Sequence, residues 1–256
     1  MVSIKACFFI SIAALMLNSC SNHLYTPALY HQDIAYQPKP ASFDSAKTAN
    51  YISGGINFYT DQTWSDMLVS GQFNFSRAHV FKNTNLSYGV FGVVGDYEKG
   101  TTGDPPNNFT DKFFGAAGAR ISGDLFTTYE RMDFRYLGFE AAYSHEFGSY
   151  ANFRQYIQTQ PGFHADPRTD LFTLGLTSEV IFHNQGNVNI QNGIRFFLGG
   201  TFGPDPFRKY NYLSNDLTPK PFDIIFPKVS YYLKVHQFFA TIEAGQQVFL
   251  RAGVSF

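Results

Sequence analysis

From residue 49 to its last residue, the chain alternates between apolar and polar side chains with a period of two. In one segment, Met67, Val69, Phe73 and Phe75 fall on one face, whereas the opposite face is mostly serine, glutamine and asparagine. Successive side chains of a β-strand point to opposite faces, so this pattern predicts strands with one apolar side. The chain is therefore predicted to be all-β.

The alternation predicts about ten antiparallel strands, with eight as the alternative count. They cover residues 50–60, 66–76, 85–97, 112–124, 133–147, 170–183, 187–200, 223–235, 238–245 and 249–256. In the fifth strand, Asp133 and Arg135 are out of phase with Leu137, which predicts a bulge near Tyr136. Pro227 weakens the eighth strand because proline cannot donate to the ladder.

Long and short connections alternate along the chain. Residues 98–111, 148–169 and 201–222 form long connections rich in proline, asparagine, aspartate and tyrosine, whereas the connection at residues 236–237 is short. The long connections then all lie at one end of the sheet, which is typical of a membrane barrel and unexpected for a sandwich. We predict an antiparallel transmembrane β-barrel over residues 49–256, with its long loops on the outer side.

Composition agrees with a barrel wall. Aromatic residues make up 18% of the chain and charged residues 15%, below the usual share of about 25%. The mean hydropathy is −0.17, and after residue 19 no apolar run reaches the roughly 18 residues of a membrane helix. A wall with alternating lipid-facing and polar lumen-facing residues has this balance. The net charge of −1 argues against a nucleic-acid partner.

The N-terminus has the features of a secretory signal. Lys5 precedes an apolar run over residues 7–17, which is followed by Asn18, Ser19 and Cys20. We predict a signal peptide over residues 1–19 and lipidation of Cys20. Residues 20–48 contain three prolines and no hydrophobic period, which predicts a tether with little regular structure, most simply a plain linker. The alternative is a tether whose aromatic residues pack against the mouth of the barrel: Tyr25, Tyr30, Tyr36 and Phe43.

Both ends of the chain resemble known signals. Residues 17–20 resemble the lipobox of bacterial lipoproteins, and the alternating strand that ends at Phe256 resembles the C-terminal signal of outer-membrane barrels. The chain thus resembles lipid-anchored outer-membrane β-barrel proteins of Bacteroidetes-type, Gram-negative bacteria. The resemblance implies outer-membrane lipid and, through Phe256, the barrel-assembly machinery as partners. Because residues 21–23 are not acidic, it also implies that the lipid-bearing N-terminus faces the periplasm.

The predicted inner face carries charges of both signs. Because the signs nearly balance, we expect an ion-pair network that fills the lumen; the alternative is a selective polar pathway or a small ligand pocket. Pairing the last two strands through residues 246–248 predicts that Glu243 lies directly opposite Arg251. The predicted lumen residues are Arg120, Glu140, Glu179, Arg195, Lys228, Lys234, Glu243 and Arg251.

Sequence motifs give little support to catalysis. Candidates for a hydrolase site at the outer rim lie on or beside the second long loop: His145, Glu146, His164, Asp166 and Asp170. A histidine near a carboxylate can act as a general base, but these residues have no distinctive spacing. No motif of a nucleophile elbow, zinc protease or phosphate-binding loop is present, so we assign no catalytic residue, metal or cofactor.

The third long loop combines aromatic and basic residues. Exposed aromatic side chains beside cations could bind an unknown protein or glycan, and the alternative is a loop that packs on itself and caps the barrel. The predicted binding residues are Phe207, Arg208, Lys209, Tyr210 and Tyr212.

The sequence thus predicts an outer-membrane β-barrel lipoprotein with a structural, binding or limited-transport role and no catalysis. The alternative is a soluble periplasmic all-β lipoprotein that binds a ligand or partner and is tethered only by Cys20. In a barrel, the following residues should face lipid, whereas in a sandwich they should form a closed core: Phe73, Phe75, Leu174, Leu176, Ile194, Phe196, Val229, Tyr231, Leu233 and Phe256.

Overall fold

The computed structural model describes residues 24–60, 67–98, 112–160, 164–184, 187–202 and 225–256. Two short strands, β1 (Leu24–Tyr25) and β7 (His164–Ala165), and one helix, α1 (Ser149–Ile157), accompany ten longer strands. The longer strands are β2 (Thr48–Thr60), β3 (Met67–Val80), β4 (Thr84–Glu98), β5 (Phe113–Tyr129), β6 (Met132–Phe147), β8 (Asp170–Asn184), β9 (Asn187–Phe202), β10 (Ile225–Val235), β11 (Phe238–Ala244) and β12 (Gln247–Ser255). No helix in these described ranges is long and apolar enough to cross a membrane.

The ten longer strands form one closed antiparallel barrel. Each pairs with the next longer strand along the chain, and β12 pairs with β2 to close the sheet, so that Ser255 lies opposite Tyr51. Closure satisfies the backbone groups that would otherwise line two open edges. The predicted ten-strand barrel is confirmed, and the alternative of eight strands is wrong.

The two ends of the barrel differ. At one, which we call the turn end, short connections join the strands at residues 81–83, 130–131, 185–186 and 236–237. At the other, the loop end, the connections include residues 61–66, 99–112, 148–169 and 203–224. Because β2 starts at the turn end, the three connections predicted to be long all lie at the opposite end.

Side chains alternate between the interior and the outer face. In β3, Ser70, Gln72 and Asn74 are buried, whereas Phe73 and Phe75 are 57% and 40% exposed. The residues predicted to face outward follow the same rule: Leu174 is half-buried, and Leu176, Ile194, Phe196, Val229, Tyr231, Leu233 and Phe256 are exposed. The sandwich alternative is wrong, because it required these residues to form a closed core.

The predicted bulge lies in β6. The register of β6 shifts opposite Leu125 and Phe126 of β5, and it shifts again between Arg135 and Gly138 opposite β8. Because of the extra residue, Asp133 and Arg135 are buried, although they are out of phase with the rest of the strand. Pro227 is accommodated within β10, opposite Leu198 of β9.

The register of the last strands was predicted correctly in one hairpin and wrongly in the other. Ser230 lies opposite Glu243, as predicted for β10 and β11. In the next hairpin, however, Glu243 lies opposite Phe249, and Arg251 lies opposite Thr241. The strands are joined by Gly245 and Gln246 rather than by residues 246–248, which displaces the pairing by two residues. A displacement of two preserves which side chains point inward.

The N-terminal region is not a plain linker where the structure describes it. Residues 26–47 contain no strand of the barrel, yet every residue from His31 to Ala41 is buried. We call residues 26–47 the lumen segment, because their central part lies inside the barrel. The predicted signal peptide and Cys20 lie outside the described residues.

Candidate functional site: the filled lumen

The lumen segment runs from the loop end to the turn end. At the loop end, β1 pairs in parallel with β7, which belongs to the connection between β6 and β8. At the turn end, Lys47 precedes β2, and its carbonyl accepts a hydrogen bond from the backbone N–H of Val80 (2.8 Å). The segment therefore enters the barrel among the long loops and leaves it at the opposite end.

Cations of the barrel wall hold the carbonyl groups of this segment. Lys228 Nζ donates to the carbonyl of Ile34 (2.7 Å), and Arg135 Nη2 donates to those of Lys39 and Pro40 (3.3 and 3.0 Å). The other two such donors are Arg120, which binds the carbonyl of Asp33, and Arg251, which binds that of Tyr36. A buried chain without regular structure needs such partners, because unpaired backbone groups are costly away from water.

Carboxylates of the wall bind the N–H groups of the same segment. The backbone N–H of Tyr36 donates to both oxygens of Glu243, at 3.1 and 3.0 Å. Nearer the loop end, the N–H of Ala28 donates to Glu146 Oε2 (2.7 Å), and at the turn end the N–H of Ser42 donates to Asp133 Oδ2 (2.5 Å). The wall thus supplies both kinds of main-chain partner along the length of the lumen.

Side chains of the lumen segment add further polar contacts. The Tyr36 hydroxyl donates to Glu179 Oε1 (2.6 Å), and Lys39 Nζ forms an ion pair with Asp124 Oδ2 (2.8 Å). Asp33 of the segment accepts a hydrogen bond from Thr173 Oγ1 (2.6 Å), and Asp44 forms an ion pair with Lys234 (3.1 Å).

Apolar residues of the segment pack into three clusters. Near the loop end, Tyr25 and Leu29 join Tyr97 and Phe153. Ile34 packs with Phe197 and Phe226, and Tyr36 packs with Tyr51, Tyr232 and Phe239 nearer the turn end. Polar and apolar contacts therefore alternate along the segment.

All eight predicted lumen residues point inward. Seven of them are buried, and Lys234, nearer the turn end, is half-buried. Arg195 pairs with Glu140 and reaches Glu243 at 3.9 Å, and Arg251 reaches Glu243 at 3.7 Å. Glu243 and Arg251 are therefore diagonal neighbours and not the directly opposed pair of the prediction.

The structure adds lumen residues that the sequence reasoning missed. Arg135 pairs with Glu179 (2.6 Å), and Asp124 pairs with Lys39. Asp124 shares the parity of Arg120 on β5, so alternation alone would have placed it inside. An inward position for Arg135 and Asp133 could be predicted only by considering the bulge, because the bulge reverses which side the residues before it face.

The rim candidates for catalysis do not converge. His145 Nδ1 lies 2.9 Å from Asp170 Oδ1, but this pair is on the outer face and at least one-third exposed. Glu146 is buried against Arg154 of α1 (2.6 Å), and Asp166 pairs with Arg168. His164 contributes backbone pairing in β7; its side chain lies outside the described residues. No cluster of three potential metal ligands occurs among the described residues.

Comparisons with known proteins identify no family. No protein-family model matches the chain, and no curated protein matches it either. An outer membrane channel from Pseudomonas putida F1 has a TM-score of 0.39 and 10% identity, covering 86% of this chain and 100% of that chain. The transport unit of the autotransporter AIDA-I from Escherichia coli has a TM-score of 0.38 and 7% identity, covering 85% of this chain and 92% of that chain.

At these TM-scores and sequence identities, neither structure supports assigning its role to this protein. The lumen, however, can be interpreted from its own residues. It is lined by balanced charges and occupied by the protein's own chain, so its polar groups are engaged with that chain rather than with a free pathway. The predicted loop residues Phe207, Arg208, Lys209, Tyr210 and Tyr212 lie outside the described residues.

Proposed function

We propose that this protein is an outer-membrane β-barrel with a structural or binding role, whose lumen is closed by its own N-terminal segment. The burial of every residue from His31 to Ala41 inside the barrel carries the proposal. A solute would have to displace this segment and its main-chain hydrogen bonds. The limited-transport role therefore has less support than a closed barrel.

The apolar outer face supports a place in a membrane. Its middle is apolar, with Val90, Ile121, Leu176 and Ile194 all at least 45% exposed. Soluble proteins rarely expose so continuous an apolar surface, whereas lipid requires one. Exposed aromatic residues lie near both ends, as in the girdles of membrane barrels: Phe81, Tyr129, Phe182, Phe238 and Phe256 at the turn end, and Phe58, Phe113, Phe147 and Phe172 at the loop end.

The proposal includes the attachments and partners that the two ends of the chain suggest. A lipid on Cys20 would add a second attachment to the membrane, and β12 with Phe256 would be the segment that the assembly machinery recognises. An unknown protein or glycan could bind the long loops. An outer-rim hydrolase has less support, because the exposed His145–Asp170 pair lies on the outer face of the barrel, where its third partner is the Tyr143 hydroxyl, which donates to Asp170 Oδ1 (2.6 Å).

Two arginine substitutions on one strand test the membrane location. Ile194 lies midway along β9 and Val188 near its turn end, and both are exposed on the outer face. In a bilayer, arginine costs about 2–4 kcal/mol at the midplane and about 0–1 kcal/mol near the interface. We expect Ile194→Arg to reduce the heat-modifiable, vesicle-inserted protein much more than the control Val188→Arg. Equal yields for the two variants would contradict the membrane location.

Solute release tests the closed lumen. Purified protein should leave small polar solutes trapped when it is reconstituted into vesicles, because the lumen segment fills the barrel. A variant lacking residues 26–44 that still shows heat-modifiable mobility should release them. Rapid release by the unaltered protein would overturn the closed-lumen proposal without affecting the membrane location.

A further inference from the structure

We infer that the chain is threaded through its own barrel, so that Cys20 and any lipid on it lie on the long-loop side, at the cell surface. The threading rests on the described contacts alone; the choice of the cell surface also rests on the proposed outer-membrane location. This placement differs from the periplasm-facing N-terminus that the sequence resemblance implies.

Contacts at the loop end fix where the described chain begins. The backbone N–H of Asp166 donates to the carbonyl of Tyr25 (2.8 Å), extending the pairing of β1 with β7. The Tyr150 hydroxyl of α1 donates to the carbonyl of Thr26 (2.9 Å). Leu24 therefore lies beside the connection between β6 and β8, at the end of the barrel opposite the start of β2.

Contacts at the turn end fix where the segment leaves the lumen. Ser42 Oγ donates to Asp133 Oδ1 (2.5 Å) beside the β5–β6 turn, and Thr128 Oγ1 donates to Ser42 Oγ (2.9 Å). Lys234, near the β10–β11 turn, pairs with Asp44. The segment therefore spans the barrel from one end to the other.

Chain length then limits the position of Cys20. Leu24 follows it by four residues, and four residue steps of extended chain reach about 14 Å at most. The apolar band of a membrane barrel is about 25 Å tall. A lipid on Cys20 therefore cannot reach the leaflet at the turn end. Membrane barrels carry their long loops outside, so the lipid would be in the outward-facing leaflet.

Thiol labelling tests this arrangement, because the chain contains only Cys7, within the signal, and Cys20. Single cysteines are introduced at both ends of the threaded region, His23→Cys and Ala46→Cys. References are Ser214→Cys in a long loop and Lys82→Cys in a short turn. Intact and permeabilised cells are treated with a membrane-impermeant maleimide, and heat-modifiable mobility confirms that each variant folds. Asn22→Cys replaces His23→Cys if the latter does not fold.

We expect His23→Cys to label on intact cells together with Ser214→Cys, and Ala46→Cys to label only after permeabilisation, together with Lys82→Cys. Labelling of His23→Cys together with Lys82→Cys would overturn the threading. If His23→Cys follows Ser214→Cys but both are hidden in intact cells, the surface location and the predicted orientation with the long loops outside are wrong, whereas the threading is retained.

Discussion

Glu243 shows how single residues hold the lumen together. Its carboxylate accepts the backbone N–H of Tyr36 and lies within 4 Å of both Arg251 and Arg195. Arg251 in turn binds the carbonyl of the same Tyr36. Two neighbouring wall charges therefore bind both main-chain groups of one residue of the lumen segment, and each also neutralises the other. Losing either one leaves a buried charge and an unpaired main-chain group.

The Glu243–Arg251 pair gives a prediction for a double-mutant cycle. Glu243→Gln or Arg251→Met alone should destabilise the barrel by about 3–5 kcal/mol, because the remaining charge stays buried without its partner. The double variant should recover part of that loss, with a coupling of about 0.5–3 kcal/mol measured by denaturant unfolding in detergent. Leu250→Met, the outward neighbour of Arg251, is the control. Strictly additive losses would mean that the two charges do not interact.

At the scale of elements, the bulge of β6 positions several lumen contacts at once. It turns Arg135 toward Glu179 and Asp133 toward Ser42, and it precedes Gly138, which lies against β5 and β8. A Cβ atom on Gly138 would overlap Asp124 Oδ1 and Thr177 Oγ1. These two groups are hydrogen-bonded to each other (3.0 Å), and Asp124 also holds Lys39 of the lumen segment.

Gly138→Ala should therefore weaken the wall and the segment together. We expect a loss of about 1–3 kcal/mol in unfolding free energy, because an added methyl group forces neighbouring groups apart. Gly71→Ala is the matched control, since a Cβ atom there meets nothing within 4 Å. Equal stability of the two variants in denaturant titrations would argue against this close packing at the bulge.

The last residue completes the closure of the barrel. The backbone N–H of Phe256 donates to the carbonyl of Asn50 (3.0 Å), and the N–H of Asn50 donates to the carbonyl of Phe256 (2.8 Å). Deleting Phe256 should impair assembly more than deleting Ser214 of a long loop, because unpaired backbone groups in lipid cost several kcal/mol each. The readout is the amount of heat-modifiable protein in membranes. Similar amounts for both deletions would contradict this expectation.

At the scale of the whole molecule, the barrel and the lumen segment form one unit. The hydrogen bonds between them join residues far apart in the chain, such as Ala28 with Glu146 and Lys228 with Ile34. They begin at the loop end and continue to the turn end. Because the described contacts begin at residue 24, we expect the barrel to fold without a lipid at Cys20, which would serve localisation.

Replacement of Cys20 tests that division of roles. Cys20→Ala removes the thiol that would accept the lipid, so we expect an uncleaved or mislocalised precursor without a fatty-acid label. Cys7→Ala, within the apolar part of the signal, is the control and should be processed and labelled normally. Normal processing and unchanged fatty-acid labelling of Cys20→Ala would refute lipidation at this residue.

The sequence alone determined the ten strands and, apart from the bulge of β6, which face of each strand points inward. Alternation with a period of two shows which side chains point inward, because each strand of a closed barrel has one face toward the lumen and one away from it. The inward positions of Arg120, Glu140 and Arg195 follow from that parity. Parity cannot distinguish pairings that differ by two residues, which is why the hairpin between β11 and β12 was predicted with the wrong partners for Glu243 and Arg251.

Only the tertiary structure decided what occupies the lumen. Residues 26–47 have no hydrophobic period, since their partners are wall side chains from many strands rather than a single flat face. The contacts of Tyr36 with Glu243, Glu179 and Arg251 appear only when β8, β11 and β12 surround it. A local pattern cannot encode such a path, because the closed wall creates the binding surface for the segment.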